Sequence, residues 1–127
     1  MKIVKIDGSQ MEPDVLLDPA NGIIEFSGYS SPNDARETFQ PVIDWLEDYK
    51  QDPQQKTRVD FKLKYFNTAT SKVLIPLLEA ILDIEKNKGK EVELNWYYEV
   101  YDEDMEESAE DFEEIINHKI NKYSYNP

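Results

Sequence analysis

Nine consecutive residues, Arg58 to Phe66, do most to restrict what this chain can fold into. Val59, Phe61, Leu63 and Tyr65 are apolar, while Arg58, Asp60, Lys62 and Lys64 are charged. Strict period-2 alternation of this kind describes a β-strand with one wet face and one buried face. The residues that follow change period: Val73, Leu74, Leu77, Leu78, Ile81 and Leu82 recur at helical spacing and form one apolar stripe. Between strand and helix lies Tyr65-Phe66-Asn67-Thr68-Ala69-Thr70-Ser71-Lys72, a turn carrying hydroxyls at Thr68, Thr70 and Ser71. Asn67, Thr68 and Thr70 are all competent N-caps, so the pattern leaves the first helical residue open. A hydroxyl here lies near the positive end of a helix dipole, where backbone N–H groups can receive an anion. A phosphate on one of these hydroxyls would meet a favourable field. Thr and Ser also stand at helix starts simply because they cap, so the turn alone assigns no regulatory role.

A second alternation runs from Glu91 to Val100, with Val92, Leu94, Trp96, Tyr98 and Val100 set against Glu91, Glu93, Asn95, Tyr97 and Glu99. Strands covered on both faces read as continuous apolar runs. One polar face on each strand therefore predicts a two-layer α/β domain, a mixed sheet with helices mainly on one face. Val59, Phe61, Leu63, Val92, Leu94, Trp96 and Tyr98 are expected to be buried against helices near 33–50 and 72–87, with Lys62, Lys64 and Glu93 on the other face.

The remaining elements follow from local signals. Residues 2–6 and 13–18 read as short edge strands separated by a turn at Gly8-Ser9-Gln10. Asn21-Gly22 predicts a tight turn that pairs 14–18 with 23–27 as a hairpin. A helix is then expected with Ser31 as N-cap, Pro32 at its first position and Asp34 in its first turn. Pro41 and Pro76 fall inside helical patterns and predict a kink near 37–41 and an irregular start to the second long helix. Gly89 after a basic last turn stops that helix. A third amphipathic helix is expected over 104–120, where Met105, Ala109, Phe112, Ile116 and Ile120 thread an acidic run. Residues 121–127 read as a last short strand or a frayed end.

At 127 residues the chain is expected to be a single domain, 1–127. The absence of cysteine excludes disulfides and thiolate metal sites. No stretch has the length of a signal peptide's apolar region or of a membrane helix, and a soluble cytoplasmic protein is expected. The 27 acidic and 14 basic residues leave a formal charge of −13, which repels phosphate backbones and anionic lipid. Nucleic acid and membrane are therefore poor partners, and a basic protein surface is a better one. Asp102, Asp104 and Glu106 suggest a calcium loop, yet the glycine and closing glutamate of such a loop are missing. The sole histidine, His118, is expected on the surface of the third helix, with no second imidazole or thiolate for a metal and no triad motif around it. The four glycines at 8, 22, 28 and 89 are isolated and form no phosphate loop. Carboxylates are abundant, but no pair stands in an apolar setting that would separate their pKa values. No cofactor, metal or catalytic residue is assigned.

Four blocks together resemble the SiaC family of bacterial regulatory phosphoproteins, whose fold is related to STAS domains. They are Ser27-Gly28-Tyr29-Ser30-Ser31-Pro32; Phe39-Gln40-Pro41 with Trp45-Leu46; Tyr65 to Lys72; and Trp96-Tyr97-Tyr98 with Asp102-Glu103-Asp104 and Glu110-Asp111-Phe112. Ser31 and Asn33 stand where the family tends to carry an aromatic and a glutamate. The resemblance implies a STAS-like, non-enzymatic partner switch acting in cyclic-di-GMP signalling. A protein kinase phosphorylates a strand-to-helix turn, a PPM-type phosphatase reverses it, and the state controls binding to a diguanylate cyclase. It places the phosphoacceptor at Thr68, with Asn67, Thr70, Ser71 and Lys72 as its neighbourhood. The competing expectation is a constitutive interaction module, or an acid-base enzyme, in which Thr68 is only a helix cap. Either way, chelator is expected to leave the thermal unfolding midpoint unchanged, and a large drop would show that the acidic run holds a structural ion.

Overall fold

In the computed structural model, which describes residues 1–127, nine elements follow one another along the chain. They are β1 (Val4–Ile6), β2 (Asp14–Asp18), β3 (Ile23–Ser30), α1 (Ala35–Tyr49), β4 (Lys56–Phe66), α2 (Thr68–Lys88), β5 (Glu91–Glu99), α3 (Glu103–Ile116) and β6 (Asn121–Tyr125). The strands form one mixed sheet in the order β1-β2-β3-β4-β5-β6. The first three pair antiparallel and β3 to β6 pair parallel. Each parallel step is bridged by one helix, and each step goes the same way across the sheet. Right-handed crossovers then place all three helices on one face, giving the two-layer α/β architecture expected from the alternation.

The covered face is apolar throughout. Leu17, Ile24, Phe26, Val59, Phe61, Leu63, Val92, Leu94 and Trp96 are buried there. Against them pack Phe39, Val42 and Leu46 of α1, Leu74, Leu78 and Ile81 of α2, and Met105, Ala109 and Phe112 of α3. A run of rings crosses the sheet, with centroids of Phe39–Phe26, Phe26–Phe61, Phe61–Trp96 and Trp96–Phe112 at 5.7, 5.4, 5.3 and 5.6 Å. Trp96 also anchors α3, because its buried Nε1–H donates to the Met105 carbonyl at 3.1 Å. Gly22 closes the β2–β3 hairpin at φ +64°, and a Cβ there would lie 2.5 Å from the Lys56 carbonyl oxygen. That turn admits glycine on both counts.

The open face is held by polar pairs. Lys56–Glu93, Arg58–Asp60 and Lys62–Glu25 lie at 3.0, 3.0 and 2.9 Å. Asp60 is buried on this side, accepting from Arg58 Nε at 3.0 Å and Asn95 Nδ2 at 2.9 Å. Asn121 Nδ2 donates to Asn95 Oδ1 at 3.1 Å, which ties β6 to the same network. A charged residue in the wet half of an alternating pattern is thus covered by its neighbours rather than by a helix.

Several expectations need correction. Gly28 pairs with Leu63 but Tyr29 with Tyr65, so β4 carries one extra residue at Lys64. Such a bulge reverses which side chains face the core. Phe66 therefore packs on Trp96 at 5.9 Å, while Tyr65 is 51% exposed beside Tyr29. Tyr98 is only half-buried, its hydroxyl donating to Glu106 Oε2 at 2.8 Å. Strand β2 is not an edge, since β1 pairs with it. Helix α1 starts three residues later than expected, because Asp34 is the cap and accepts from the Glu37 N–H at 3.2 Å. Ser31 instead donates its N–H to the Met11 carbonyl at 2.8 Å. Both Pro41 and Pro76 lie inside helices that continue through them, and α2 is helical from Thr68 onward. Helix α3 ends at Ile116, where Asn117 turns left-handed at φ 52°. Ile120 is buried from the connection to β6, and His118 lies beyond the helix, 2.9 Å from Glu85. The tail forms β6.

Glu113 fixes the start of that strand. Its Oε2 accepts from the Ile120 N–H at 2.7 Å and its Oε1 from Lys122 Nζ at 2.9 Å. The Ile120 N–H first, and Lys122 second, hold its carboxyl below the usual glutamate range. A lowered folded pKa gives stability that is present above the unfolded pKa, about 4.3, and lost as pH falls through the folded value. Glu113→Gln is expected to lower the thermal midpoint at neutral pH, with a smaller gap to the parent at an acid pH below the unfolded pKa of about 4.3. Midpoints measured at both pH values check this, and a gap of equal size at both would assign the effect to packing.

Candidate functional site

The turn between β4 and α2 is built from its backbone outward. Asn67 has an extended conformation and is the N-cap of α2, its Oδ1 accepting from the Thr70 N–H at 2.9 Å. Its own N–H donates to the Ser30 carbonyl at 2.9 Å, and its Nδ2 to the Pro32 carbonyl at 3.4 Å. The turn is therefore fastened to the neighbouring turn between β3 and α1. Thr70 makes the deepest of these links. It is fully buried, its Oγ1 donates to the Ser30 carbonyl at 3.2 Å, and the two hydroxyl oxygens lie 2.9 Å apart. With the Thr70 proton on the carbonyl, the Ser30 hydroxyl donates to Thr70 Oγ1, and both groups are satisfied.

The other two hydroxyls face outward to different degrees. Ser71 is half-buried and its Oγ donates to the Thr68 carbonyl at 2.7 Å. Thr68 is exposed and is the first helical residue, not the cap. Lys72, also exposed, lies four residues on, so it shares the helix face of Thr68. Helix geometry leaves the N–H groups of Thr68 and Ala69 without intrahelical acceptors. Helix α2 is also the one helix with no acid in its first turn; α1 has Glu37 there, and α3 has Glu103, Asp104 and Glu106. In a chain of formal charge −13, the positive end of α2 stands uncompensated beside an exposed hydroxyl and an ammonium group.

All five residues singled out from the sequence, Asn67, Thr68, Thr70, Ser71 and Lys72, thus lie at one helix start, but in different roles. Asn67 and Thr70 hold the turn, while Thr68 and Lys72 face solvent. Ser30 was not anticipated. It meets Thr70 from 40 residues away, and no local spacing reports such a contact.

Chemistry elsewhere is sparse. The carboxylates that depart from their usual range, Asp18, Glu93 and Glu113, are all shifted downward. The leading causes are hydrogen bonds from Asn21, Asn95 and the Ile120 N–H respectively. A general acid at neutral pH needs the opposite shift. No group of three metal-ligating side chains is assembled, and no helix is long and apolar enough to cross a membrane. The strand order never reverses, so the sheet lacks the crevice in which open α/β folds bind ligands.

Comparison with known proteins gives the chain its relatives. The model of the SiaC family regulatory phosphoproteins matches residues 6–125. An uncharacterised protein of Pseudomonas aeruginosa (strain UCBPP-PA14) is 33% identical over 114 residues, covering 90% of each chain. The crystal structure of apo-SiaC from Pseudomonas aeruginosa superposes with a TM-score of 0.87 at 29% identity, over 98% of this chain and all of the other. A chain in the crystal structure of the diguanylate cyclase SiaD in complex with its activator SiaC, from the same organism, also gives 0.87 at 30% identity, over 96% and 99%. This chain belongs to the SiaC family of regulatory phosphoproteins.

Proposed function

We propose that this chain is a cytoplasmic, single-domain regulator without enzymatic activity, switched by reversible phosphorylation of Thr68. A protein kinase adds the phosphate, a PPM-type phosphatase removes it, and the unmodified form binds and activates a diguanylate cyclase. The observation that carries the reading is the contrast within one helical turn. Thr68 is exposed, whereas Thr70 is buried against Ser30 and spends its proton there. A kinase must reach its acceptor hydroxyl, so Thr70 is excluded without local unfolding, and Ser71 is half-withdrawn.

Phosphate brings about −1.5 to −2 charges at neutral pH. At Thr68 it meets the free N–H groups of the first turn and the Lys72 ammonium, so the fold tolerates it. For a partner seated over the turn the same charge is a like-sign obstacle if that surface is acidic, and a bulky one in any close contact. The switch thus changes the surface rather than the fold. The activator role is supported by the relative that is complexed with SiaD as its activator.

Thr68→Ala is expected to fold with a stability change within about 0.5 kcal/mol, because the position is exposed, the cap is Asn67, and alanine favours the helix. It abolishes phosphate incorporation by the cognate kinase, read by intact mass, and retains the cyclase. Thr70→Ala breaks the buried hydroxyl pair and costs stability of about 1–3 kcal/mol instead. Undiminished labelling of Thr68→Ala would transfer the acceptor to Ser71. Absence of labelling at every hydroxyl of the turn would leave a constitutive binding module.

A further inference from the structure

Strand β6 ends the sheet, and no strand pairs with its outer side. Along a strand the N–H and C=O of one residue point the same way, and successive residues alternate. The Tyr125 carbonyl accepts from the Val100 N–H at 2.9 Å, on the β5 side. Asn121, Tyr123 and Tyr125 therefore direct their backbone groups to β5, while Lys122 and Ser124 present theirs to the outside. The edge is closed just before this stretch. Glu113 accepts the Ile120 N–H at 2.7 Å, and Lys122 Nζ donates to the Ile120 carbonyl at 3.3 Å. The free stretch itself lacks the usual guards of an edge. It contains no proline, its register with β5 is unbroken, and its one lysine is turned back onto Glu113 at 2.9 Å. Above the edge, the flank of α3 is acidic. Contacts with the Tyr98 hydroxyl and Lys122 Nζ, at 2.8 and 2.9 Å, place Glu106 and Glu113 on this flank. Glu103 and Glu110 continue it at helical spacing. The Tyr98 phenol is held above its usual range, first by its bond to Glu106, and Glu110 adds to that effect. Lys119 and Lys122 are the bases near Glu113, and Lys122 is already paired, so carboxylates are in excess. Ile115 and Ile116, on another side of α3, face α2 instead. On the open side of the sheet, Tyr123 is exposed and stacks on Tyr97 at 5.2 Å.

We infer that the outer edge of β6 receives an extended basic segment of a partner protein as a further strand, held through the main chain of Lys122 and Ser124. Main-chain bonds give such a segment its affinity, and alternate side chains give it specificity. Side chains on the helix side are lysines or arginines, because they meet Glu106 and Glu110. Those on the other side are β-branched or aromatic and pack on Tyr123. Charge names the occupant. A second copy of this chain is disfavoured, since joining two β6 edges brings two acidic α3 flanks together. Single-stranded nucleic acid is disfavoured as well, since its phosphates would meet the same carboxylates. The inference does not rest on the Thr68 switch, whose turn follows β4, two strands inward.

The probe is a heptapeptide of alternating lysine and valine, acetylated and amidated, titrated into the intact chain and followed by NMR. It is expected to bind and to slow amide exchange at Lys122 and Ser124 by about tenfold or more, leaving Tyr123 as it was. The analogue with glutamate for lysine is expected not to bind. The fully N-methylated lysine peptide keeps the charge but loses its donors, and is expected to bind about tenfold or more weakly. Ser124→Pro removes an N–H that faces solvent on an edge strand, where proline is tolerated, and is expected to abolish the slowing at Lys122. Glu106→Lys combined with Glu110→Lys, at exposed positions, is expected to weaken binding about tenfold, and it reports even if Ser124→Pro folds poorly. Circular dichroism and the thermal midpoint are the folding controls. Binding without slowed exchange at Lys122 and Ser124, or equal binding of the N-methylated peptide, overturns the strand pairing. Equal binding of the glutamate peptide, or no effect of the paired lysine substitutions, overturns the basic occupant. No binding of the lysine peptide at about 1 mM overturns the inference as a whole.

Discussion

The handedness of three successive crossovers governs the rest of this molecule. From β3 to β6 the chain steps repeatedly to the next position in one direction. Each step needs a helix, and a right-twisted sheet admits that helix on one side only. The helices therefore share one face. The opposite face of the central strands is left to polar side chains that pair with one another, as Arg58, Asp60 and Asn95 do. The same constraint brings the C-terminal ends of the parallel strands to one edge of the sheet. The start of α2 and the turn before α1 are neighbours there.

That adjacency explains how the turn before α2 is held. A lone strand-to-helix connection would be held by its cap alone. Here the cap residue Asn67 reaches the Ser30 and Pro32 carbonyls, and Thr70 is bonded into Ser30 beneath the surface. Order in the buried half of the turn frees the outer half, Thr68 and Lys72, to present chemistry. The two polar roles are divided between side chains only two residues apart.

How much of this was legible in the sequence depended on how far each determinant acts along the chain. Alternation at Val59–Leu63 and Val92–Trp96 reports burial directly, and it gave the layers and the register of the central strands. The apolar stripe of α2 and the Asn21-Gly22 turn are equally local. Tyr65 was misassigned because the extra residue at Lys64 is inserted opposite Gly28, and only the paired strand reveals it. Ser31 looked like a cap because Pro32 follows it, but the side chain that accepts from the first turn is that of Asp34, three residues on. Asp60 read as an exposed charge, although Arg58 and Asn95 enclose it. For the site, the hydroxyl turn stood out at once. The ranking of its hydroxyls did not, since the Ser30–Thr70 contact joins residues 40 apart.

The Ser30–Thr70 bond has a consequence for timing. Many signalling proteins transmit modification by melting or refolding a segment, and their response then waits on a conformational barrier of microseconds to seconds. Here Thr70 is tied to Ser30 beneath the turn, and a phosphate on Thr68, as proposed, leaves that bond in place. Under that proposal the change is written on the exterior, where a partner reads it at first encounter, and the tempo of the switch is set by the enzymes that add and remove the phosphate.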